Sequence, residues 1–336
     1  MRRCLNCMNE YEDRHRDTCP HCGYVEGVTL HGDVCLRPGT ILQGRYIVGT
    51  ARKVRDNDIL YIGWDALFDR KILLQEYFPR YCATRSTETR LSIYDSKQEP
   101  FKKGLELFVR QSRELIRLYQ EPCVVTYYAC FQENRTAYGV TECRDEQTLE
   151  EWAAGQNLGE REALAMVKEA ILAVDAAHKV GVIHGMVGAD TFWITRERRL
   201  VLKDFGAWRY VSGEPGVVNY GKAGEETDVY GLARLFCQLL TGKSLEDGDN
   251  LELDLLRDRV TLSRDVAAAI RHALSHETRS LYQFYQELGG KREEGTDRNF
   301  SRNRSRRRDA KSSFSVPLWV CGLAAAGLVA VAVAAG

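Results

Sequence analysis

The chain has 336 residues, 47 of them basic and 47 acidic, so its formal net charge is zero. That length leaves room for one domain of ordinary size with small appendages, and no segment repeats, which excludes an array of short repeats. No apolar run follows Met1, so an N-terminal signal peptide is not expected.

The first signal in chain order is a pair of Cys-x-x-Cys knuckles, Cys4-Leu5-Asn6-Cys7 and Cys19-Pro20-His21-Cys22, eleven residues apart. Four thiolates at that spacing complete a tetrahedral shell, so Cys4, Cys7, Cys19 and Cys22 are read as ligands of a structural Zn2+ in a zinc ribbon over residues 1–29. So short a segment cannot bury enough apolar surface to fold alone, and the metal is expected to supply its folding energy. His21 is an alternative ligand beside a shell that four cysteines already fill. Arg2, Arg3, Arg14 and Arg16 lie nearby, but without interleaved aromatics nucleic acid is not expected as a partner. Cys35, Cys82, Cys123, Cys130, Cys143, Cys237 and Cys321 are scattered and odd in number, as free thiols in a reducing cytosol would be.

Beyond the ribbon, Tyr46 to Pro79 reads as short strands with turns, and Lys102 to Tyr119 as an amphipathic helix. Val124 to Glu142 reads as two strands bracketing a turn at Glu133-Asn134-Arg135. Arg161 to Val180 is an apolar helix stopped by Gly181. A turn from His184 to Thr191 follows, then an apolar Phe192-Trp193-Ile194, then Leu200-Val201-Leu202 running into Lys203-Asp204-Phe205-Gly206. Asp228 to Thr241 is a second apolar helix, with Ala269 to Leu274 and Arg279 beyond it.

Over residues 36–290 this succession resembles bacterial zinc-ribbon-containing Ser/Thr protein kinases. Leu36 to Gly49 is similar to their lead-in to the first strand. Ile72-Leu73-Leu74-Gln75-Glu76-Tyr77-Phe78-Pro79 stands where the family has Val-Ala-Ile-Lys-Glu-Tyr-Phe-Pro. His184 to Gly206 resembles the catalytic and metal-binding loops, and Thr227 to Lys243 the large C-lobe helix. The resemblance implies an α+β, two-lobed protein-kinase-like fold, with an N-lobe at about 40–143 and a C-lobe at about 144–290. The ribbon precedes it.

The residues that perform phosphoryl transfer in that family are substituted here. The loop position of the proton-accepting Asp is Met186, and that of the magnesium-binding Asn is Thr191. The strand lysine is Gln75 and its helix partner Glu is Gln111, which are expected to form a neutral amide pair. No glycine remains between Gly49 and Tyr61, where Lys53, Arg55, Asp56 and Asp58 form a degenerate phosphate loop; Asp56 and Asp58 would bring negative charge toward a triphosphate. Leu73 replaces the alanine over adenine and is expected to overfill the pocket. Gly185 stands where an arginine often precedes the catalytic Asp, and the Ala-Pro-Glu signal is absent. His184 and Asp204 remain as vestiges, expected to tie the two loops together, with Asp190 as an alternative, displaced base. Arg279 is a candidate ion-pair partner of Glu225 or Glu226, or else a solvated helix-end charge. ATP and Mg2+ are not expected to bind.

At the far end, residues 291–314 form a basic linker and 315–336 an uncharged, Ala- and Gly-rich stretch. A helix of that length spans about 30 Å, the thickness of a bilayer core. Arg302, Arg304, Arg306, Arg307, Arg308 and Lys311 before it place the N-terminal domains in the cytoplasm, giving a single pass through the cytoplasmic membrane with the linker near anionic lipid. Gly322, Ala326, Ala330 and Ala334 share one helix face and permit a homodimer. The chain ends with the span, as a tail anchor or as a truncated longer protein. The reading as a whole is a membrane-anchored pseudokinase, a signalling scaffold or allosteric partner of an active kinase or membrane complex. The alternatives are a weak or unconventional ATP-dependent Ser/Thr kinase and a nucleotide sensor without turnover.

Overall fold

A computed structural model describes residues 1–12, 18–27, 34–156, 158–208, 223–243 and 262–290. The chain divides into two compact units, Met1–Lys291 and Arg292–Gly336. The second lies outside the described residues, and with it the predicted linker and membrane helix. Among the described residues no helix is long and apolar enough to cross a membrane.

The chain opens with a two-stranded ribbon, β1 (Arg2–Arg3) antiparallel to β2 (Glu10–Tyr11). Next come β3 (Ile41–Leu42), β4 (Tyr46–Val54), β5 (Asp58–Asp65) and β6 (Arg70–Tyr77). A small hairpin of β7 (Ala83–Arg85) and β8 (Leu91–Ile93), which sequence patterning does not reveal, precedes helix α1 (Gln98–Ile116). The helix begins four residues before its predicted start because Pro100 lies in the first turn, where a missing N–H costs nothing. Strands β9 (Tyr127–Glu133) and β10 (Thr136–Glu142) follow, joined by Asn134 and Arg135 at φ 57° and 63°. Two left-handed residues make the hairpin turn whose twist matches the strands. Strand β3 and the five long strands form one antiparallel sheet in the order β3-β4-β5-β6-β10-β9.

Helix α1 lays a stripe of Phe101, Gly104, Phe108, Ser112 and Leu115 on this sheet, the spacing of a single helix face. Gly104 is required there, since a Cβ would collide with the Tyr77 hydroxyl. Trp208, from the segment after Asp204, inserts edge-on against Phe108 and Tyr77 at ring distances of 5.2 and 5.5 Å. The loop that carries Asp204 is thereby anchored in the core of the first lobe.

The second lobe contains α2 (Leu149–Ala153), α3 (Glu160–Lys179), the short pair β11 (Phe192–Ile194) and β12 (Leu200–Leu202), then α4 (Glu225–Thr241), α5 (Arg264–Leu274) and α6 (Leu281–Glu287). Gly181, at φ 82°, ends the α3 segment as predicted. Helix α4 starts three residues before its predicted start because the Thr227 hydroxyl accepts the Gly224 N–H and three acidic residues occupy the first turn. Ala163, Ala170, Ala173 and Ala177 line the buried side of α3, and small side chains let it approach α4 closely. A single parallel bridge, Val124 to Leu202, joins the lobes beside β12.

Candidate functional site

The two knuckles of the ribbon fold alike. Cys4 carbonyl accepts the Met8 N–H at 2.9 Å and Cys19 carbonyl the Gly23 N–H at 2.9 Å, with Met8 and Gly23 both left-handed. Backbone N–H groups of Asn6 and His21 donate to Cys4 Sγ and Cys19 Sγ, each at 3.4 Å. The four sulfurs lie within 4.8 Å of one another, with Cys4–Cys22 at 3.7 Å and Cys7–Cys19 at 3.8 Å. Tetrahedral Zn–S bonds of ~2.3 Å require an S–S edge of about 3.8 Å, so the donor set and its spacing fit a metal such as zinc. Burial pushes the Cys4 thiol up to about 12. Burial acts the same way on Cys22, but hydrogen bonds from the Asn6 side chain and the Tyr24 backbone outweigh it and bring that thiol down to about 7. His21 is not a fifth candidate, because its Nε2 lies 3.1 Å from the Glu10 carbonyl oxygen.

Between the lobes lies a cleft of about 280 Å³. Leu60, Ile62 and Leu73 from the sheet face Val125, Tyr127 and Trp193, with Thr141 and Cys143 at its edge. Leu73 lines the cavity, whose volume falls just below the ~300 Å³ at which small-molecule sites begin.

The charged end of the cleft is organised by Arg55. This residue follows β4 in the tight turn to β5, where its N–H donates to the Asp58 carbonyl at 2.9 Å. Its guanidinium pairs with the Asp58 carboxylate at 2.8 Å and, through the other terminal nitrogen, with Asp204. Burial alone would lower the Arg55 pKa, yet the charges of Asp204 and Asp58 raise it. Asp58 is fully buried and does not project toward the cleft as an exposed negative charge. Asp56 is exposed and 3.9 Å from Arg80, so it too departs from its expected place near a triphosphate. Lys53 reaches Asp190 Oδ2 at 3.4 Å. Lys203, which sequence reading did not single out, donates from Nζ to the Asp190 carbonyl at 2.6 Å and lies 3.9 Å from Asp204. Burial lowers its pKa, against the pull of Asp204 and Asp190.

The expected Gln75–Gln111 amide pair does not form. Gln75 Nε2 donates instead to Asp58 Oδ2 at 2.8 Å, and Gln111 Oε1 is buried with no hydrogen-bond partner. A carboxylate is the stronger acceptor, and the sheet register places it beside Gln75.

His184 ties the loops together through the Lys203 carbonyl. Met186 N–H donates to its Nδ1 at 3.2 Å, so the proton resides on Nε2, which donates to Lys203 O at 2.8 Å. Its ring packs on Phe205 at 4.7 Å. Asp228 accepts the N–H groups of His184 and Gly185 at 2.9 and 2.7 Å, together with His178 Nε2 at 2.7 Å. Gly185 is demanded by sterics: at φ 80°, a Cβ would lie 2.8 Å from Ala207 Cα. Thr191 is turned into its own loop, its hydroxyl donating to Gly188 O at 2.7 Å and accepting Gly188 N–H at 3.0 Å. Met186 is 43% exposed and offers no proton acceptor. Glu225 accepts the Leu281 N–H at 2.9 Å, and Arg279 is exposed at the helix end, the second of its two readings.

No protein-family model matches the chain. Among curated proteins it is similar to human Rho-associated protein kinase 1, 31% identical over 111 residues, which cover 33% of this chain and 8% of that protein. It is also similar to the Arabidopsis thaliana serine/threonine-protein kinase PEPKR2, 25% identical over 188 residues, 52% of this chain and 39% of that one. The chain thus spans well under half the length of these relatives. Among solved structures, the apo form of PpkA-294 aligns with TM-score 0.60 at 21% identity, over 76% of this chain and 99% of that one. The kinase domain of PknI from Mycobacterium tuberculosis aligns with TM-score 0.56 at 17% identity, over 76% and 98%. The fold is protein-kinase-like, with a sheet-rich first lobe, and its sequence relatives include Ser/Thr kinases.

Proposed function

We propose that this kinase-like domain is a pseudokinase, a signalling scaffold or allosteric partner that does not transfer phosphate. The observation that carries the reading is the Arg55 guanidinium held between Asp58 and Asp204. In a kinase the metal-binding Asp recruits magnesium and the strand lysine recruits phosphate. Here Asp204 is neutralised by an arginine of the same chain, and Gln75, turned toward Asp58, carries no charge. Met186 and the inward-turned Thr191 remove the base and the second metal ligand. The domain is proposed to act at the cytoplasmic membrane, held there by a helix over 315–336 and the basic linker before it, with protein partners among active kinases or membrane complexes and with Zn2+ as a structural ion in the ribbon.

A second reading, a nucleotide sensor without turnover, is favoured by the open 280 Å³ cleft with Arg52 and Lys203 on its wall. Calorimetry and thermal shift of the full-length chain with Mg-ATP separate the two. The scaffold reading expects no binding at millimolar nucleotide; magnesium-dependent binding without phosphate release would replace it with the sensor, and transfer to a protein substrate would replace both.

A further inference from the structure

The metal knuckle is built into the strand that closes the cleft. Thr50 N–H on β4 donates to the Leu5 carbonyl at 2.8 Å, and the β4–β5 register breaks at that point, between Val48 and Ala51. Gly49 is the seat for this contact: a Cβ there would strike the Met8 side chain and the Leu5 carbonyl and lie 2.8 Å from Ile62 Cγ2. On the neighbouring strand the Arg3 guanidinium stacks 3.4 Å over the Trp64 ring.

Asn6 is the joint. It stands between the ligands Cys4 and Cys7, and its Nδ2 donates to Cys22 Sγ at 3.5 Å. Its Oδ1 accepts the Thr50 hydroxyl at 2.7 Å and Arg52 at 3.3 Å, while its carbonyl accepts the other Arg52 nitrogen. Arg52 lines the cleft, and Arg55, three residues further, pairs with Asp204 on its wall. One end of the Asn6 amide is therefore oriented by a sulfur and the other by the strand. Hydrogen bonds to an ionised acceptor are the strong ones, and groups outside a metal's first shell orient the ligands they contact, so the position of Asn6 and the state of the cluster are linked.

We propose that the four-cysteine centre is a control site for the cleft: with a thiophilic divalent cation bound, Asn6 holds β4 so that Arg52 and Arg55 close the charged end, and loss of the cation releases that closure. The proposal rests on the reading of the cleft as closed by Arg55 and adds what regulates it.

The test uses the zinc-loaded full-length chain, with two readouts that involve no nucleotide. One is hydrogen exchange over residues 46–55; the other is the alkylation rate of Cys143, which lines the cleft, resolved by peptide mass spectrometry. In Asn6→Ala, with one zinc per chain retained, exchange over β4 is expected to rise roughly tenfold and Cys143 to be alkylated faster. Chelation of zinc from the native chain should reproduce both changes and add little to the variant. Gly49→Ala unseats the same contact from the strand side and is expected to match Asn6→Ala; it decides the matter if Asn6→Ala loses zinc. Unchanged exchange and alkylation in the zinc-loaded variants, or chelation effects confined to residues 1–27, would overturn the proposal. Neither result depends on whether Mg-ATP binds, so failure here and failure of the pseudokinase reading are separate outcomes.

Discussion

Arg55 and Asp204 are paired across the cleft, although 149 positions separate them in the chain, and the same guanidinium holds the buried Asp58 at 2.8 Å. Removal of the cation takes away the positive charge that pairs this buried carboxylate, to which the neutral Gln75 amide still donates. Arg55→Ala is therefore expected to lose about 2–4 kcal/mol in urea unfolding. Asp58→Asn in the same background should recover part of that loss, because the stranded charge goes with it. An Arg55→Ala midpoint equal to the native one would refute the pairing.

The ribbon leads to a prediction of opposite character. Each thiol must give up its proton to ligate a metal, and burial pushes Cys4 up to about 12 while Cys22 sits at about 7. Metal binding therefore releases protons, and affinity must rise with pH. Competition against a chelator at about pH 6 and about pH 8 should find much tighter binding at the higher value. Cys4→Ser should weaken the thiolate-to-metal charge-transfer band of the cobalt-substituted protein and lower its affinity for the ion. Affinity independent of pH would exclude the cysteines as ligands.

On the pseudokinase reading, an aspartate placed at Met186 should not confer catalysis. Met186 is 43% exposed, so Met186→Asp is expected to leave stability within about 0.5 kcal/mol of the native value. Labelled ATP should still transfer no phosphate to peptide or protein, because Arg55 continues to occupy Asp204. Measurable transfer by this variant would favour the enzyme reading.

Gly185 combines a positive φ of 80° with a backbone neighbour, Ala207 Cα, 2.8 Å from where a Cβ would stand. Gly185→Ala should cost about 1–3 kcal/mol, since it adds strain where neither backbone can move aside. Thermal unfolding measures this loss; a native melting temperature would mean that the loop relaxes and that Asp228 does not hold it.

Much of the fold was legible because local rules decide it. The turn at Asn134 and Arg135, the stop at Gly181 and the alternation of apolar helices each follow from residues a few positions apart. The ends of α1 and α4 were missed by three or four residues, because Pro100 and Gly224 read as breaks in a sequence yet are tolerated in or before a first turn. The substituted positions of the cleft were readable one by one, since identity alone shows that Met186 cannot accept a proton.

Partnership among those positions was not readable. Gln75 could have met Gln111 or Asp58, and only the register of β5 against β6, with Leu60 opposite Gln75, brings Asp58 within reach. Gly49 reads as the last residue of the lead-in to the first strand and is the seat of the ribbon. The sequence by itself determined the local conformations, the four-cysteine spacing and the lack of a proton acceptor on Met186, because each depends on residue type and short spacing. Only the tertiary structure decided that Arg55 takes the Asp204 carboxylate and that Asn6 links the cysteine cluster to the strand. Those choices depend on which polar groups come to share one desolvated volume, where most buried donors and acceptors find a partner within about 3 Å.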